Sequence, residues 1–186
     1  MSASRRSLTP EEIDAAIAGE RAAVEAFTAA YLPRVFGLCL RLCRERELAE
    51  EATQEAFVRA LRALPRLRER ERLTSWMLTI AANTTRELGR KRQRSGSLEW
   101  EPEAIEAEVD DRLVVRQKAL DLALAGLEQD ERELFLLHTV EGVKLRELAE
   151  EHQVSVPAMK SRVHRIRSKV RVLALEHLEA AVGVVS

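Results

Sequence analysis

The residues best suited to chemistry in this chain are two clusters of basic side chains. The first lies in "AANTTRELGRKRQRSGS", residues 81–97, where five cations from Arg86 to Arg94 stand against a single acid, Glu87. The whole chain has a formal net charge of -1, so this concentration is local. Like charges on one helix repel each other unless a polyanion neutralises them. We therefore predict a nucleic-acid contact here.

Residues just upstream of this cluster indicate which form of nucleic acid it binds. Trp76 and Asn83 are seven residues apart, about two helical turns, and so share a face. An aromatic ring, an amide and the hydroxyl of Thr84 beside a basic helix suit unpaired bases, which expose ring faces and open edges. A tryptophan in this setting is also a common core residue, and composition alone favours that alternative.

The second cluster lies in "KLRELAEEHQVSVPAMKSRVHRIRSKV", residues 144–170. A short helix, a three-residue break and a longer basic helix form the layout of a helix-turn-helix, with Ser155 as the cap of the second helix. Steps of three and four predict one buried stripe: Val156, Met159, Val163, Ile166 and Val170. The cations then point outward: Lys160, Arg162, Arg165, Arg167, Lys169 and Arg171. Duplex DNA fits this helix, and a solvated basic face is the alternative.

Other chemistries find little support in the sequence. Cys39 and Cys43 are one helical turn apart without further ligands, and the four histidines are scattered, so we expect packing cysteines, no metal and no cofactor. No nucleophilic triad or phosphate loop appears, so we expect no enzyme active site. The longest charge-free run, Leu73 to Thr85, falls short of the roughly 20 residues of a membrane span. We expect a cytoplasmic protein without membrane insertion.

The apolar spacing predicts an all-α fold in two helical domains. Thr9 and Glu12 form a capping box, Pro33 restarts a helix, Pro65 ends the next one, and a further helix runs from Leu73 to about Arg94. Residues 99–111 hold seven acids and no base. We therefore divide the chain into a domain at 9–94, an acidic linker at 95–112 and a domain at 113–178.

The two domains resemble a known family. Residues 9–94, with "LAEEATQEAFVRALRAL" and "LTSWMLTIAANTTRELGRKRQR", resemble region 2 of the extracytoplasmic-function (ECF) group of bacterial sigma factors. Residues 120–175, with "LEQDERELFLLHTVEGVKLRELAEEHQVSVPAMKSRVHRIRSKV", resemble region 4. The two regions in this order are far more specific than either alone. The resemblance implies a dissociable initiation subunit of RNA polymerase.

The resemblance also implies roles for individual residues, all of them expectations here. Contact with core RNA polymerase would fall to Glu50, Glu51, Gln54 and Glu55. The melted −10 element would meet Trp76, Asn83, Thr84, Arg86, Arg90, Lys91 and Arg92. The −35 duplex would meet Lys160, Ser161, Arg162, His164, Arg165 and Arg167. A cognate anti-sigma factor is expected as a further partner.

The chain departs from the family pattern at several positions. Ala82 stands where arginine is common, and Leu67 and Leu73 where phenylalanine is common, which indicates an altered selectivity of the base-capturing loop at residues 66–75. Gln153 replaces a usual glycine, and Pro157-Ala158-Met159 replaces Gly-Thr-Val. The acidic linker resembles a segment that threads the RNA exit path, although a plain spacer is the alternative. A free-standing helix-turn-helix regulator is the competing reading of the whole chain.

Overall fold

The computed structural model describes residues 8–94 and 111–183, which form two compact units divided at residues 103 and 104. Described residues outside the turns are helical, and no strand occurs among them, which confirms the all-α prediction. Apart from its last two residues, the acidic linker lies outside the described ranges. The α-helices of the first unit are α1 (Pro10–Ile17), α2 (Arg21–Cys43), α3 (Arg46–Ala63) and α4 (Leu73–Arg94). Those of the second are α5 (Asp111–Ala125), α6 (Gln129–Phe135), α7 (Leu145–Glu151) and α8 (Val156–Gly183).

The start of the first unit follows the sequence prediction. The Thr9 side chain accepts a hydrogen bond from the Glu12 amide at 3.2 Å, and the Thr9 amide donates to the Glu12 carboxylate at 2.9 Å. This reciprocal pair satisfies two amides that a helix start otherwise leaves without partners. The predicted capping box is therefore confirmed.

The predicted helix break at Pro33 is wrong, because α2 runs through that residue. The break lies earlier, between α1 and α2, where Gly19 adopts a positive φ of 82° that favours glycine. A mid-helix proline removes one backbone hydrogen bond and strains the turn before it. Phe27, Val35 and Leu38 are buried on both sides of Pro33, and their packing holds the helix continuous.

Helix α2 also bears on the expected absence of a membrane span. Among the described residues it alone is long and apolar enough to cross a membrane, judged by length and composition. The sequence prediction missed it because that prediction counted only charge-free runs, and Glu25 and Arg34 interrupt α2. The same test is passed by core helices of soluble proteins and is weak evidence on its own.

The core of the first unit lies between α2, α3 and α4. The Phe27 ring contacts Phe57 edge-on at 6.2 Å between centroids and lies 5.0 Å from the Tyr31 ring. The Tyr31 hydroxyl hydrogen-bonds the Thr74 hydroxyl at 2.8 Å, which fixes the first turn of α4 against α2.

Cys39 is fully buried in this core, and burial raises the pKa of the Cys43 thiol to about 11. Both cysteines are therefore poor nucleophiles.

The second unit positions α8. A π-helical turn, Leu136–Val140, continues α6, and Gly142 at φ 75° ends it as predicted. Between α7 and α8, Gln153 adopts a positive φ of 54°, the conformation that glycine tolerates best. The Ser155 side chain accepts from the Ala158 amide at 3.3 Å, which confirms the predicted cap.

The predicted buried stripe of α8 is confirmed for four of its five residues. Met159, Val163, Ile166 and Val170 are buried, while Val156 is 43% exposed. Val156 begins α8. Its spacing places it on the same face as the buried residues, but its side chain is not covered. Helical spacing predicts direction, whereas burial also needs a partner at the same level of the helix.

Candidate nucleic-acid interfaces

One face of α4 brings together most of the predicted −10 residues. Steps of seven, three and four residues place Trp76, Asn83, Arg86 and Arg90 on one stripe, at about 3.6 residues per turn. The buried side chains of α4 lie on the opposite side. Trp76, Asn83 and Arg86 are half-buried and Arg90 is exposed. The half-exposed Trp76 ring is thus available beside the cations, and we call these four residues the α4 stripe.

Two residues predicted to contact the −10 element point the other way. Thr84 is fully buried, so it has no surface to offer a nucleic acid, and its predicted contact is wrong. Arg92 donates to the Glu45 carboxylate and also lies 3.6 Å from the Glu47 carboxylate. Its guanidinium is therefore engaged by the start of α3, and its contact with phosphate stays a prediction.

The one acid within the first basic cluster is also engaged by α3. Arg59 donates to Glu87 at 2.6 Å and to Glu55 at 2.8 Å, so it bridges the two helices. The hydrogen bonds that Arg59 donates to the Glu55 and Glu87 carboxylates raise the pKa of its guanidinium. Arg59 thus pairs with Glu87, the one acid within the first basic cluster, and holds it on the α3 side of α4.

A groove runs between α3 and α4 beside this bridge. It is lined by Glu51, Gln54, Glu55, Val58, Arg59, Glu87, Leu88 and Lys91. Three of the four residues predicted for polymerase contact thus share one depression, and the fourth, Glu50, pairs with Arg46 at 3.0 Å. Lys91 is exposed but lies on the groove side of α4 rather than on the α4 stripe. Val58 is 41% exposed and adds an apolar side chain to the groove lining.

The surface of α8 has a different pattern. Steps of four, three and four place four uncharged or weakly basic residues on one ridge opposite the buried stripe. These residues, the α8 ridge, are Pro157, Ser161, His164 and Ser168, all exposed. The cations flank the ridge in two rows. One row is Lys160, Arg167 and Arg171, and the other is Arg162, Arg165 and Lys169.

An acid from α6 limits the second row. Glu131 accepts a hydrogen bond from Lys169 at 2.6 Å, and this contact, with the nearby charge of Arg162, lowers the pKa of the Glu131 carboxyl. Arg162 is half-buried, whereas the other five cations are exposed. Within residues 8–94 and 115–180, no acid forms an ion pair with Lys160, Arg165, Arg167 or Arg171.

Sequence reasoning did not find Arg59, Glu131, Glu45 or Glu47. The Glu55–Arg59 spacing of four residues could have indicated a local pair. The partners Glu87, 28 residues from Arg59, and Lys169, 38 residues from Glu131, depend on how the helices pack. No local pattern in the sequence indicates such pairs.

Comparison with known proteins identifies both units. Residues 27–95 match the family model described as Sigma-70 region 2, and residues 117–170 match that described as Sigma-70, region 4. These two ranges contain the α4 stripe and the α8 ridge respectively. Because both regions occur in one chain, in the sigma-factor order, the free-standing regulator is the less favoured reading.

Individual relatives agree with the family match. RNA polymerase sigma factor CarQ of Myxococcus xanthus is 34% identical over 169 residues, which cover 89% of this chain and 96% of the relative. The ECF RNA polymerase sigma factor ShbA of Streptomyces griseus is 30% identical over 162 residues, covering 77% and 85%.

Two solved structures share the fold. The sigma factor RpoE, in complex with the anti-sigma factor NepR from Bartonella quintana, aligns with a TM-score of 0.65 and 24% identity, covering 81% of this chain and 95% of that one. CnrH, in complex with the cytosolic domain of CnrY, aligns with a TM-score of 0.62 and 21% identity, covering 88% and 94%. Sigma factors are transcription initiation factors and not, in general, enzymes. Taken with its helical structure, these matches show that the chain belongs to the ECF group of the sigma-70 family of RNA polymerase sigma factors.

Proposed function

We propose that the two basic helices of this sigma factor bind one promoter in two states. The α8 ridge reads the paired −35 element, the α4 stripe holds the opened −10 strand, and α3 docks on core RNA polymerase. Domain boundaries at 9–94, 95–112 and 113–178 correspond to this division. The polymerase carries out RNA synthesis, so this chain acts by binding and not by catalysis. We place this activity in the cytoplasm.

The arrangement of charge on α8 is the observation that carries the proposal. The major groove of B-DNA is about 12 Å wide and admits a single helix. Small side chains on the α8 ridge allow close approach to the base edges at the floor of the groove. Cations of the two flanking rows then reach the phosphates on opposite walls, except Arg165, which we place at a base edge. Ser161, His164 and Arg165 are thereby assigned to the bases, and Lys160 and Arg167 to the phosphates.

The α4 stripe suits a single strand. Base stacking on an aromatic ring contributes about 1–3 kcal/mol per base and requires an unstacked base. Trp76 offers such a ring at one end of the stripe, Asn83 an amide that can pair with a base edge, and Arg86 and Arg90 charges for the phosphates. Thr84 and Arg92 are not part of this proposed site.

The α3–α4 groove is the proposed contact with core polymerase. Its lining combines the acids Glu51, Glu55 and Glu87 with the apolar side chains of Val58 and Leu88, beside the bases Arg59 and Lys91. A helical surface of the polymerase with basic residues around an apolar side chain would complement it. We also propose that an anti-sigma factor binds this chain, as the anti-sigma factor NepR binds the similar sigma factor RpoE of Bartonella quintana.

Transcription from a randomised promoter library tests the proposal. We expect sequence-specific transcripts only when the protein and core polymerase are both present. Replacing Glu51 and Gln54 with Lys should abolish polymerase binding, whereas Glu20→Lys, on the turn before α2, is the matched surface control. Specific DNA binding by the protein alone, with no effect on transcription, contradicts the proposal and supports a free-standing regulator.

A further inference from the structure

The first turn of α8 is apolar and exposed, in contrast to the cationic turns that follow it. Val154 and Val156 are 41% and 43% exposed, and Pro157 and Ala158 are exposed as well. Ser155 interrupts this run, but its side chain is occupied by the Ala158 amide. We call Val156, Pro157 and Ala158 the α8 tip. Exposed apolar residues side by side at the entry of a DNA-binding helix are a feature that the cation rows do not explain.

The α8 tip has little capacity for hydrogen bonding. Pro157 has no N–H, the Ala158 amide donates to the Ser155 side chain, and the Met159 amide donates to the Ser155 carbonyl at 2.9 Å. The side chains of these residues carry no donor or acceptor. The tip therefore cannot read a base pair by the hydrogen-bond pattern of its side chains, and it offers a phosphate few donors.

Within the major groove only one base group is apolar, the C5 methyl of thymine. Recognition helices commonly bring their N-terminal residues to the base edges. Pro157 begins the α8 ridge, one turn before Ser161, and Ala158 lies two turns before Arg165, so both face the side that meets DNA. This geometry rests on the proposed placement of α8 in the −35 duplex.

We infer that Pro157 and Ala158 are specificity-determining residues that read thymine methyl groups in the −35 element. The inference extends the base-reading set of α8 by two residues that form no polar contact. A polar or charged group at the same base position is disfavoured, because it would lose hydration against the apolar tip without gaining a partner.

Deoxyuridine substitution tests the inference, because it removes the methyl group and keeps the base pair. The −35 sequence is first selected from a random library with the holoenzyme, and each thymine in it is then replaced singly by deoxyuridine. In competition binding, the affinity of the holoenzyme for the substituted DNA should fall about fourfold at one or two positions. This factor corresponds to the burial of one methylene-sized group. At those positions, DNA that carries 5-methylcytosine should bind better than DNA that carries cytosine.

Variants assign the effect to the tip. Two variants are used, Ala158→Gly and Ala158→Ser, the second of which keeps the size of the side chain. At one affected position, each variant should bind thymine DNA and deoxyuridine DNA equally well. Arg165→Ala is the matched control, which should weaken both DNAs and preserve the fourfold difference. Thermal unfolding of each variant confirms that α8 is intact.

Three results would overturn the inference. These are a selected −35 element without thymine, equal binding of deoxyuridine at every position, or a difference that survives at every affected position in both Ala158 variants. Loss of core-polymerase binding by the Ala158 variants without DNA would mean that the tip contacts protein instead. A holoenzyme that selects no −35 sequence at all contradicts the proposed function itself, so the two failures are distinguishable.

Discussion

Helices α4 and α8 both carry runs of cations, but their neighbours treat these cations differently. In the first unit Glu45, which caps α3, and Glu47 within α3 pair with Arg92, and Arg59 of α3 binds Glu87. In the second unit, within the part of the chain that the structure describes, Glu131 alone forms an ion pair with the α8 cations, through Lys169. A basic run in a sequence therefore mixes structural cations with available ones, and the adjacent helix decides which are which.

The two helices differ also in what accompanies the cations. The α4 stripe begins with the half-exposed ring of Trp76, whereas the α8 ridge holds only small side chains and His164. A large ring needs an unstacked base, and a smooth ridge needs a groove that it can enter. The difference in side-chain size supports the assignment of α4 to the opened strand and α8 to the duplex.

Removal of the Trp76 ring should have the largest effect on this difference. We expect Trp76→Ala to weaken holoenzyme binding to a single-stranded −10 oligonucleotide by about 1–3 kcal/mol, because stacking is lost. Trp76→Phe should keep part of the affinity. Affinity for a −35 duplex, measured in parallel by fluorescence anisotropy, should not change. An equal loss for both DNAs, with a lowered melting temperature, would assign Trp76 to the core instead.

The turn before α8 allows a substitution that changes the stability of the second unit without altering a residue proposed to contact DNA. Gln153 holds a left-handed conformation that costs a non-glycine residue about 1–2 kcal/mol. We expect Gln153→Gly to stabilise the second unit by about 1 kcal/mol, allowing for the greater flexibility of glycine in the unfolded chain. Thermal unfolding measures this gain. Ala158→Gly is the contrasting control, since a glycine in the helix should destabilise.

Arg92 and Arg90 test whether neighbouring cations have separate roles. We expect Arg92→Ala to lower the stability of the first unit by about 0.5–1 kcal/mol, because its partly exposed ion pairs are lost. Its affinity for the −10 strand should stay close to that of the unchanged protein. Arg90→Ala should lower the affinity for the −10 strand and leave the free energy of unfolding, measured by chemical denaturation, unchanged. If Arg92→Ala reduced strand affinity more than stability, the inward assignment of Arg92 would be wrong.

Glu131 gives the smallest expected effect. Glu131→Gln releases Lys169 for a phosphate, so the logarithm of the −35 affinity should fall more steeply with the logarithm of salt, by about one unit of slope. The contact also makes stability depend on pH. The carboxyl pKa is lowered by folding from its ordinary value of 4.5, so the stabilisation is present above that pH and is lost as the pH falls below it.

Measurement of both quantities checks this reading of Glu131. Salt titration of DNA affinity and thermal unfolding between neutral and acidic pH are compared for Glu131→Gln and the unchanged protein. An unchanged slope would show that Lys169 already binds phosphate or never does. An identical loss of stability on acidification in both proteins would show that Glu131 is not the titrating group.

Much of the fold follows from local sequence. The all-α class, the Thr9 capping box, the extent of α4 from Leu73 to Arg94 and the Ser155 cap all depend on residues within one or two helical turns. Such features are set by backbone hydrogen bonding and apolar periodicity, which a sequence displays directly. The two basic clusters were visible for the same reason.

The errors share one physical origin, since each depends on a second helix. Pro33 continues α2 because distant side chains bury both flanks, and Val156 is exposed although its spacing places it on the stripe that is buried from Met159 onward. Thr84 lies within a run of candidate residues, and the packing of α4 turns its side chain inward. Periodicity alone leaves that rotation undetermined when polar residues occupy several faces.

The central claim is that α4 and α8 bind different states of one promoter. Its most direct test compares Asn83→Ala/Arg90→Ala with Arg165→Ala/Arg167→Ala, each assembled with core polymerase, on a single-stranded −10 oligonucleotide and on a −35 duplex. We predict a crossover, in which the α4 variant loses only the single strand and the α8 variant loses only the duplex. If both variants lose both DNAs to the same extent, the account is contradicted.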